Sequence, residues 1–295
     1  MGLGVYRANF PHPAAARTLE SVGAEELAAL AADVWTLAPP CQPYSRRGRG
    51  RDLDDPRAQS LLALLGRIAE VRPPYLLLEN VPGFAGSRMH GRLRETLDAA
   101  GYRVEERLAC PSELGVPNRR RRFYLVAAAS DAAPLRTAGL PGRPPGRTHD
   151  EAAPPPPPDP PLAAYLDADP GPDLTVEAAL IRRYRRALDV VAADDPGAVT
   201  ACFTSAYGRS PVRSGSYLRL GPPGTGPPAL RRFSPREILR LLGFPETYRL
   251  PAELPRANAW RLAGNSLSLA PVRAMLAAIP PFADPPDGGE EGAGR

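Results

Sequence analysis

Val34-Trp35-Thr36-Leu37-Ala38-Pro39-Pro40-Cys41-Gln42-Pro43-Tyr44-Ser45 is a short apolar run that ends at a cysteine braced by three prolines. The run reads as a buried strand. Proline fixes its own φ and pushes the residue before it towards extended geometry, so few conformations are open to the loop that follows. Cys41 is therefore expected on a stiff turn just past a strand end. Such a turn suits a nucleophile that must meet a substrate atom at one angle; a buried structural cysteine is the alternative.

Outward from this stretch, strand-like and helix-like segments alternate between about residues 14 and 130. Residues 34–38, 75–79, 103–110 and 123–128 read as strands, three of them apolar runs of the kind buried in parallel sheets. Helices are expected near 24–31, 56–71 and 88–100, the last stopped by Gly101. The alternation predicts an α/β fold with a doubly wound sheet and a site at the carboxyl ends of its strands. Cys41 and Glu79 fall at two consecutive strand ends and are expected to share that site.

Residues 132–161, rich in proline and glycine, read as an extended connector without packed structure. A helix is expected over about 176–193, carrying Arg182, Arg183, Arg185 and Arg186. Those arginines form either a solvated helix face or a phosphate-contacting one. A loop-rich stretch runs on to about Leu230. Ser234, Pro235 and Glu237 form a capping-box start to a short helix, and a final helix should end near Ala278. The Pro/Gly/acidic tail from Ala283 reads as disordered.

All 37 basic residues among the 295 are arginine, and there are 39 prolines, a pattern that codon bias in a GC-rich genome would produce. The net charge of +5 still favours a polyanionic partner over an acidic small molecule. Cys41, Cys110 and Cys202 are far apart and form no CxxC pair, so neither a disulfide framework nor a metal site is expected. With three histidines a histidine triad is poorly supplied. No run of eighteen apolar residues and no signal-peptide pattern occur, which predicts a soluble cytoplasmic protein without membrane association.

Further motifs follow the first in order: Glu79-Asn80-Val81, Gly115-Val116-Pro117-Asn118-Arg119-Arg120-Arg121-Arg122, Arg232-Phe233-Ser234-Pro235-Arg236-Glu237 and Gly264-Asn265-Ser266. In this order they resemble the cytosine-5 methyltransferase family, with its Rossmann-like class I methyltransferase sheet. Val5–His12, Cys202-Phe203-Thr204 with Tyr207-Gly208, and Leu241-Leu242-Gly243-Phe244-Pro245 narrow the likeness. They look like the second type of eukaryotic DNA methyltransferase homologue, a group that methylates an anticodon-loop cytosine of aspartate tRNA. The resemblance covers nearly the whole chain except the proline-rich connector and the tail.

The resemblance implies S-adenosylmethionine as cofactor and a nucleic acid as partner, tRNA ahead of DNA. Cys41 would add to carbon-6 of cytosine, and Glu79 would stabilise the adduct at ring nitrogen 3. Arg120 and Arg122 are candidates for the positive charge that a thiolate needs. Thr18, Leu19, Pro40, Asn265 and Ser266 would contact the cofactor; Gln42, Ser45, Asn80, Val81, Cys202, Phe203 and Thr204 would contact the substrate. The implied layout is a catalytic α/β domain over 1–130, a connector over 131–162 and a small target-recognition region over 163–230. Residues 231–282 would return to the catalytic domain, ahead of the tail at 283–295.

One departure stands out. The family's opening Gly-rich loop and the acidic end of its second strand have no counterpart here, and Gly2-Leu3-Gly4 follows no strand. On that comparison the fold is expected to be truncated at its N-terminus, leaving residues 34–38 as an exposed apolar edge. Three explanations are open: a start assigned too far downstream, a second polypeptide supplying the missing part, or an inactive remnant that still binds nucleic acid. A DNA cytosine-5 methyltransferase is the alternative within the same chemistry.

Overall fold

The computed structural model describes residues 1–45, 50–146, 155–221 and 229–283. Its first half contains helices α1 (Gly2–Asn9), α2 (Ala24–Ala28), α3 (Gln59–Val71) and α4 (Arg88–Ala99), and strands β1 (Val34–Leu37), β2 (Tyr75–Asn80), β3 (Tyr102–Ala109) and β4 (Arg122–Ala129). The second half contains α5 (Ala178–Tyr184), β5 (Asp189–Val191), β6 (Ser216–Leu220), β7 (Ala229–Arg232), α6 (Pro235–Leu241), α7 (Arg256–Asn265), α8 (Leu269–Leu276) and α9 (Pro280–Ala283). Residues group into two compact units. One holds Arg17–Ala109, Arg121–Glu151 and the chain from Val272; the other holds Met1–Ala16, Cys110–Arg120 and Ala152–Pro271.

The first unit is an α/β layer structure around the sheet β1-β2-β4-β3. Leu61, Leu64, Leu65 and Ile68 recur at helical spacing and give α3 one buried face, and Met89, Leu93 and Leu97 do the same for α4. They pack on Leu76, Leu78, Phe123, Leu125 and Ala127, which point to one side of the sheet. Tyr75, Leu77, Tyr124, Val126 and Ala128 point to the other side, against Met275 and Ile279. A sheet covered on both faces is what the near-continuous apolar runs of β2 and β4 require.

The sheet is mixed rather than parallel, which corrects the reading of its apolar strands. β1 and β2 run parallel, whereas β4 is antiparallel to both β2 and β3. A parallel partner needs a crossover element, and the segment between β3 and β4 offers one 3₁₀ turn and no helix. β1 is an edge strand among the described residues.

The second unit contains the small sheet β5-β6-β7. The helix expected over 176–193 stops at Tyr184, and β-branched Val190-Val191 form β5 instead, parallel to β6. The stretch read as loop up to Leu230 contains β6, antiparallel to β7. Residues 132–161 are also not wholly unpacked: Leu135 and Leu140 join the sheet core, and Arg143 exchanges backbone hydrogen bonds with Leu108. Part of that segment (147–154) and of the tail (284–295) lies outside the described residues. Among the described residues no helix is long and apolar enough to cross a membrane.

Arg231 and Glu237 anchor this second unit. Their side chains are 5% and 0% exposed and meet in a two-point pair at 2.7 and 2.8 Å. Glu237 also accepts from the backbone N–H groups of Ser234 and Asp167 and closes the capping box at the start of α6. Glu237→Ala would leave the guanidinium buried without its counter-charge, a change that costs about 3–5 kcal/mol. Urea unfolding should show that loss, against less than about 1 kcal/mol for Glu95→Ala in the exposed Arg92–Glu95 pair.

Candidate active site

The parallel register of β1 and β2, with Leu37 opposite Leu78, brings the two strand ends together. Cys41 follows β1 by four residues and opens a 3₁₀ turn, Gln42–Tyr44, whose Tyr44 N–H donates to the Cys41 carbonyl at 3.1 Å. Glu79 is the penultimate residue of β2, one position inside the strand end. Asn80 links the two: it is 1% exposed, its Nδ2 donates to the Pro39 carbonyl at 3.2 Å, and its Oδ1 accepts from Val81 N–H at 2.8 Å. A buried amide joining both loops fixes the spacing of the sulfur-bearing turn and the carboxylate.

The turn is also braced from beneath. The Tyr44 ring meets Phe84 edge-on, with centroids 4.9 Å apart. Gly83 lies so close that a Cβ there would sit 2.4 Å from the Tyr44 carbonyl oxygen, so the backbone approach itself demands glycine. Cys41 and Ser45 are half-buried and Gln42 is exposed, so the turn presents its polar groups outward.

Charge is supplied from two arginines. Arg122 Nε lies 3.3 Å from Glu79 Oε1, both side chains largely buried, and so orients the carboxylate. Arg57 is a guanidinium within electrostatic reach of Cys41. A side-chain hydrogen bond to Asp55 chiefly raises the Arg57 pKa, and the Cys41 charge adds a smaller push in the same direction. Asp55 is 3% exposed and accepts three times from Arg57, from N at 3.0 Å, Nε at 2.8 Å and Nη2 at 2.6 Å. Burial pushes the Tyr44 hydroxyl pKa up, and the carboxylates of Asp52 and Asp55 push it the same way.

Arg120 belongs to the other unit. Its Nη1 donates to the Phe203 carbonyl at 2.9 Å and lies 3.5 Å from Cys202 Sγ. Its Nη2 donates to the carbonyls of Gly264, at 3.3 Å, and Ser266. A Cβ on Gly264 would sit 2.2 Å from the Thr204 carbonyl carbon, so these backbones touch. One buried guanidinium thus ties Cys202-Phe203-Thr204 to Gly264-Asn265-Ser266, more than sixty residues apart in sequence. Beside it, Asn118 donates to Thr200 Oγ1 at 2.9 Å and holds the arginine-bearing segment in register.

Of the residues expected to contact a cofactor, Thr18, Leu19 and Pro40 are exposed on the sheet unit, while exposed Asn265 and half-buried Ser266 lie on the other. Leu19 and Pro40 line an open groove of about 460 Å³ along the free edge of β1, with Leu30, Trp35, Pro39 and Leu64. Its size and apolar lining fit a flat heteroaromatic base, and its lining residues carry no charge. Asp55, Arg57, Gly83 and Phe84 were not singled out in the sequence. Asp55-Pro56 at the threshold of α3 was a readable capping signal, whereas the approach of Gly83 to Tyr44 leaves no local trace.

The sequence profile of C-5 cytosine-specific DNA methylases matches residues 3–153. The chain is 27% identical to the tRNA (cytosine(38)-C(5))-methyltransferase of Mus musculus, over 93% of this chain and 84% of that protein. It is 28% identical to a DNA (cytosine-5)-methyltransferase of Dictyostelium discoideum, over 92% and 83%. Among solved structures it is similar to the S. pombe Dnmt2 methyltransferase, with a TM-score of 0.75 and 25% identity over 93% of this chain and 86% of that one.

The Asp55–Arg57 clamp beneath the Cys41 turn has a pH signature. The hydrogen bonds from Arg57 hold the Asp55 carboxyl pKa down, at about 2 instead of 3.8. A depressed carboxyl stabilises the fold fully above its unfolded value and loses that contribution as pH falls through its folded one. Asp55→Asn should therefore lower the urea midpoint by a constant amount above about pH 5, with the deficit shrinking between about pH 4 and pH 2. A deficit that persists undiminished at pH 2 would show that the clamp is not ionic.

Proposed function

This chain belongs to the C-5 cytosine-specific DNA methylase family, and on that premise we propose that it methylates carbon-5 of a cytosine in tRNA, using S-adenosylmethionine and a covalent bond from Cys41. The observation that carries this reading is the pairing of Cys41 and Glu79 at adjacent carboxyl ends of β1 and β2, joined by Asn80.

Cytosine carbon-5 is a weak nucleophile and must first gain electron density. The Cys41 thiolate adds to carbon-6, and the electron pair of the 5,6 double bond moves towards carbon-5. Glu79, carrying a proton to ring nitrogen 3, offsets the charge that develops on the ring, while Arg122 holds its carboxyl in place. Arg57 is a cation within electrostatic reach of Cys41. S-adenosylmethionine, when bound, supplies the methyl group as an electrophilic carbon. Thr18, Leu19 and Pro40 would hold its adenine side. After carbon-5 is methylated, its proton leaves to a base and the carbon–sulfur bond of Cys41 breaks, restoring the double bond. Gln42, Ser45, Asn80 and Val81 would border the target base, while Arg120 holds Cys202-Phe203-Thr204 in place on the other unit.

The base must leave its stack to reach Cys41. A loop cytosine of tRNA is cheaper to extrude than a paired one in a duplex, by a few kcal/mol. The Mus musculus relative, named for a tRNA position, supports this substrate, and the Dictyostelium discoideum relative keeps duplex DNA as the second reading.

Labelled methyl transfer to tRNA and to duplex DNA, measured side by side, tests the proposal. Label should enter tRNA, vanish with Cys41→Ala, and fall by about 10²–10⁴-fold with Glu79→Gln. Label in DNA alone would overturn the tRNA substrate, and full activity of Cys41→Ala would overturn the mechanism.

A further inference from the structure

Some arginines of the second unit pair with carboxylates and others do not. Arg231, Arg236, Arg240 and Arg256 each pair with a carboxylate, of Glu237, Glu246, Asp167 and Asp173 in turn. Arg182, Arg183, Arg185 and Arg186, exposed on α5 and the turn after it, pair with no carboxylate among the described residues. Neither do Arg219 of β6 and Arg232 of β7, whose Nε atoms are buried without a hydrogen-bond partner among the described residues.

These six side chains fall on one part of the fold. Tyr217 lies opposite Arg232, and Arg219 lies opposite Leu230, so side-chain alternation puts all four on one face of the small sheet. α5 sits on that same face, because Ile181 packs against Tyr217 and Leu230. Arg231, one residue before Arg232, points to the opposite face and into its buried pair with Glu237. Neighbouring arginines in one strand are thus neutralised on one side and left open on the other.

Leaving guanidinium nitrogens unpaired and partly buried is unfavourable unless an acceptor arrives from outside. Planar forks in a cluster without counter-charge match phosphate oxygens. Tyr217 is buried with its hydroxyl donating to the Pro211 carbonyl, so it offers no open ring for a base to stack on. The face therefore has the chemistry of backbone capture.

We propose that this arginine face of α5, β6 and β7 binds the phosphate backbone of the RNA whose cytosine is methylated. The inference rests on the tRNA reading and adds the surface that holds the substrate outside the chemical site. Phosphate contacts position the nucleic acid without selecting its sequence, and their loss weakens binding in a salt-dependent way.

The test is binding of full-length protein to tRNA and to duplex DNA across a range of salt, with methyl transfer measured alongside. The variant replaces Arg182, Arg183, Arg185 and Arg186 with alanine; Arg92→Ala, at a paired surface arginine, is the control. For tRNA we expect roughly tenfold weaker binding near physiological salt and a salt slope shallower by about 2, with kcat at saturating tRNA retained. Arg232→Ala should reproduce part of the loss, and Arg232→Lys should recover most of it. Unchanged affinity and slope in the fourfold variant would overturn the surface, as would a wild-type protein that binds neither nucleic acid. Wild type that methylates duplex DNA alone, with the variant weakened for DNA, would instead overturn the tRNA reading and keep the surface.

Discussion

The parallel pairing of β1 with β2 is the constraint on which the proposed chemistry depends. Four aligned residue pairs bring two strand ends side by side, and each end carries one half of the proposed reactive pair. Asn80 then removes the remaining freedom, because its buried amide bonds to the loop after β1 and to the loop after its own strand. Without that link, Cys41 and Glu79 would be near in topology but loose in geometry. Proline stiffness, the Tyr44–Phe84 edge contact and the close approach of Gly83 act on the same turn from other directions.

Charge in this protein is organised by burial. Buried guanidinium groups have defined acceptors: Arg231 has Glu237, and Arg120 has a ring of backbone carbonyls. Arg120 and Arg122 are two residues apart in sequence, yet one ties two backbone segments together and the other orients a carboxylate. Arg57, more than sixty residues upstream, lies within electrostatic reach of Cys41. An arginine-only basic set makes such division workable, since a planar fork presents five donors in fixed geometry to several acceptors at once.

Much of the sheet unit was legible in the sequence because its signals are local. The spacing of Leu61, Leu64, Leu65 and Ile68 and the stop at Gly101 each declare themselves within a few residues. Strand direction was not legible, since the apolar runs of β2 and β4 look the same whether neighbours run parallel or antiparallel. The second unit was harder. Its β5 is three residues long, and the segment before it is rich in helix formers, so a single helix over 176–193 was the natural expectation. The partner of Arg120 was invisible for a different reason: its acceptors are backbone carbonyls, which carry no side-chain signature.

The chain is an α/β cytosine-5 methyltransferase, and the central claim about it is that Cys41 forms the bond to the substrate ring. The most direct measurement is covalent trapping with an RNA whose target cytosine carries fluorine at carbon-5, in the presence of S-adenosylmethionine. Fluorine cannot leave as a proton does, so the adduct should accumulate. Peptide mapping of the denatured complex is expected to find the nucleotide on the peptide containing Cys41. An adduct on Cys110 or Cys202, or label transferred to unmodified RNA with no adduct formed on the fluorinated one, would contradict it.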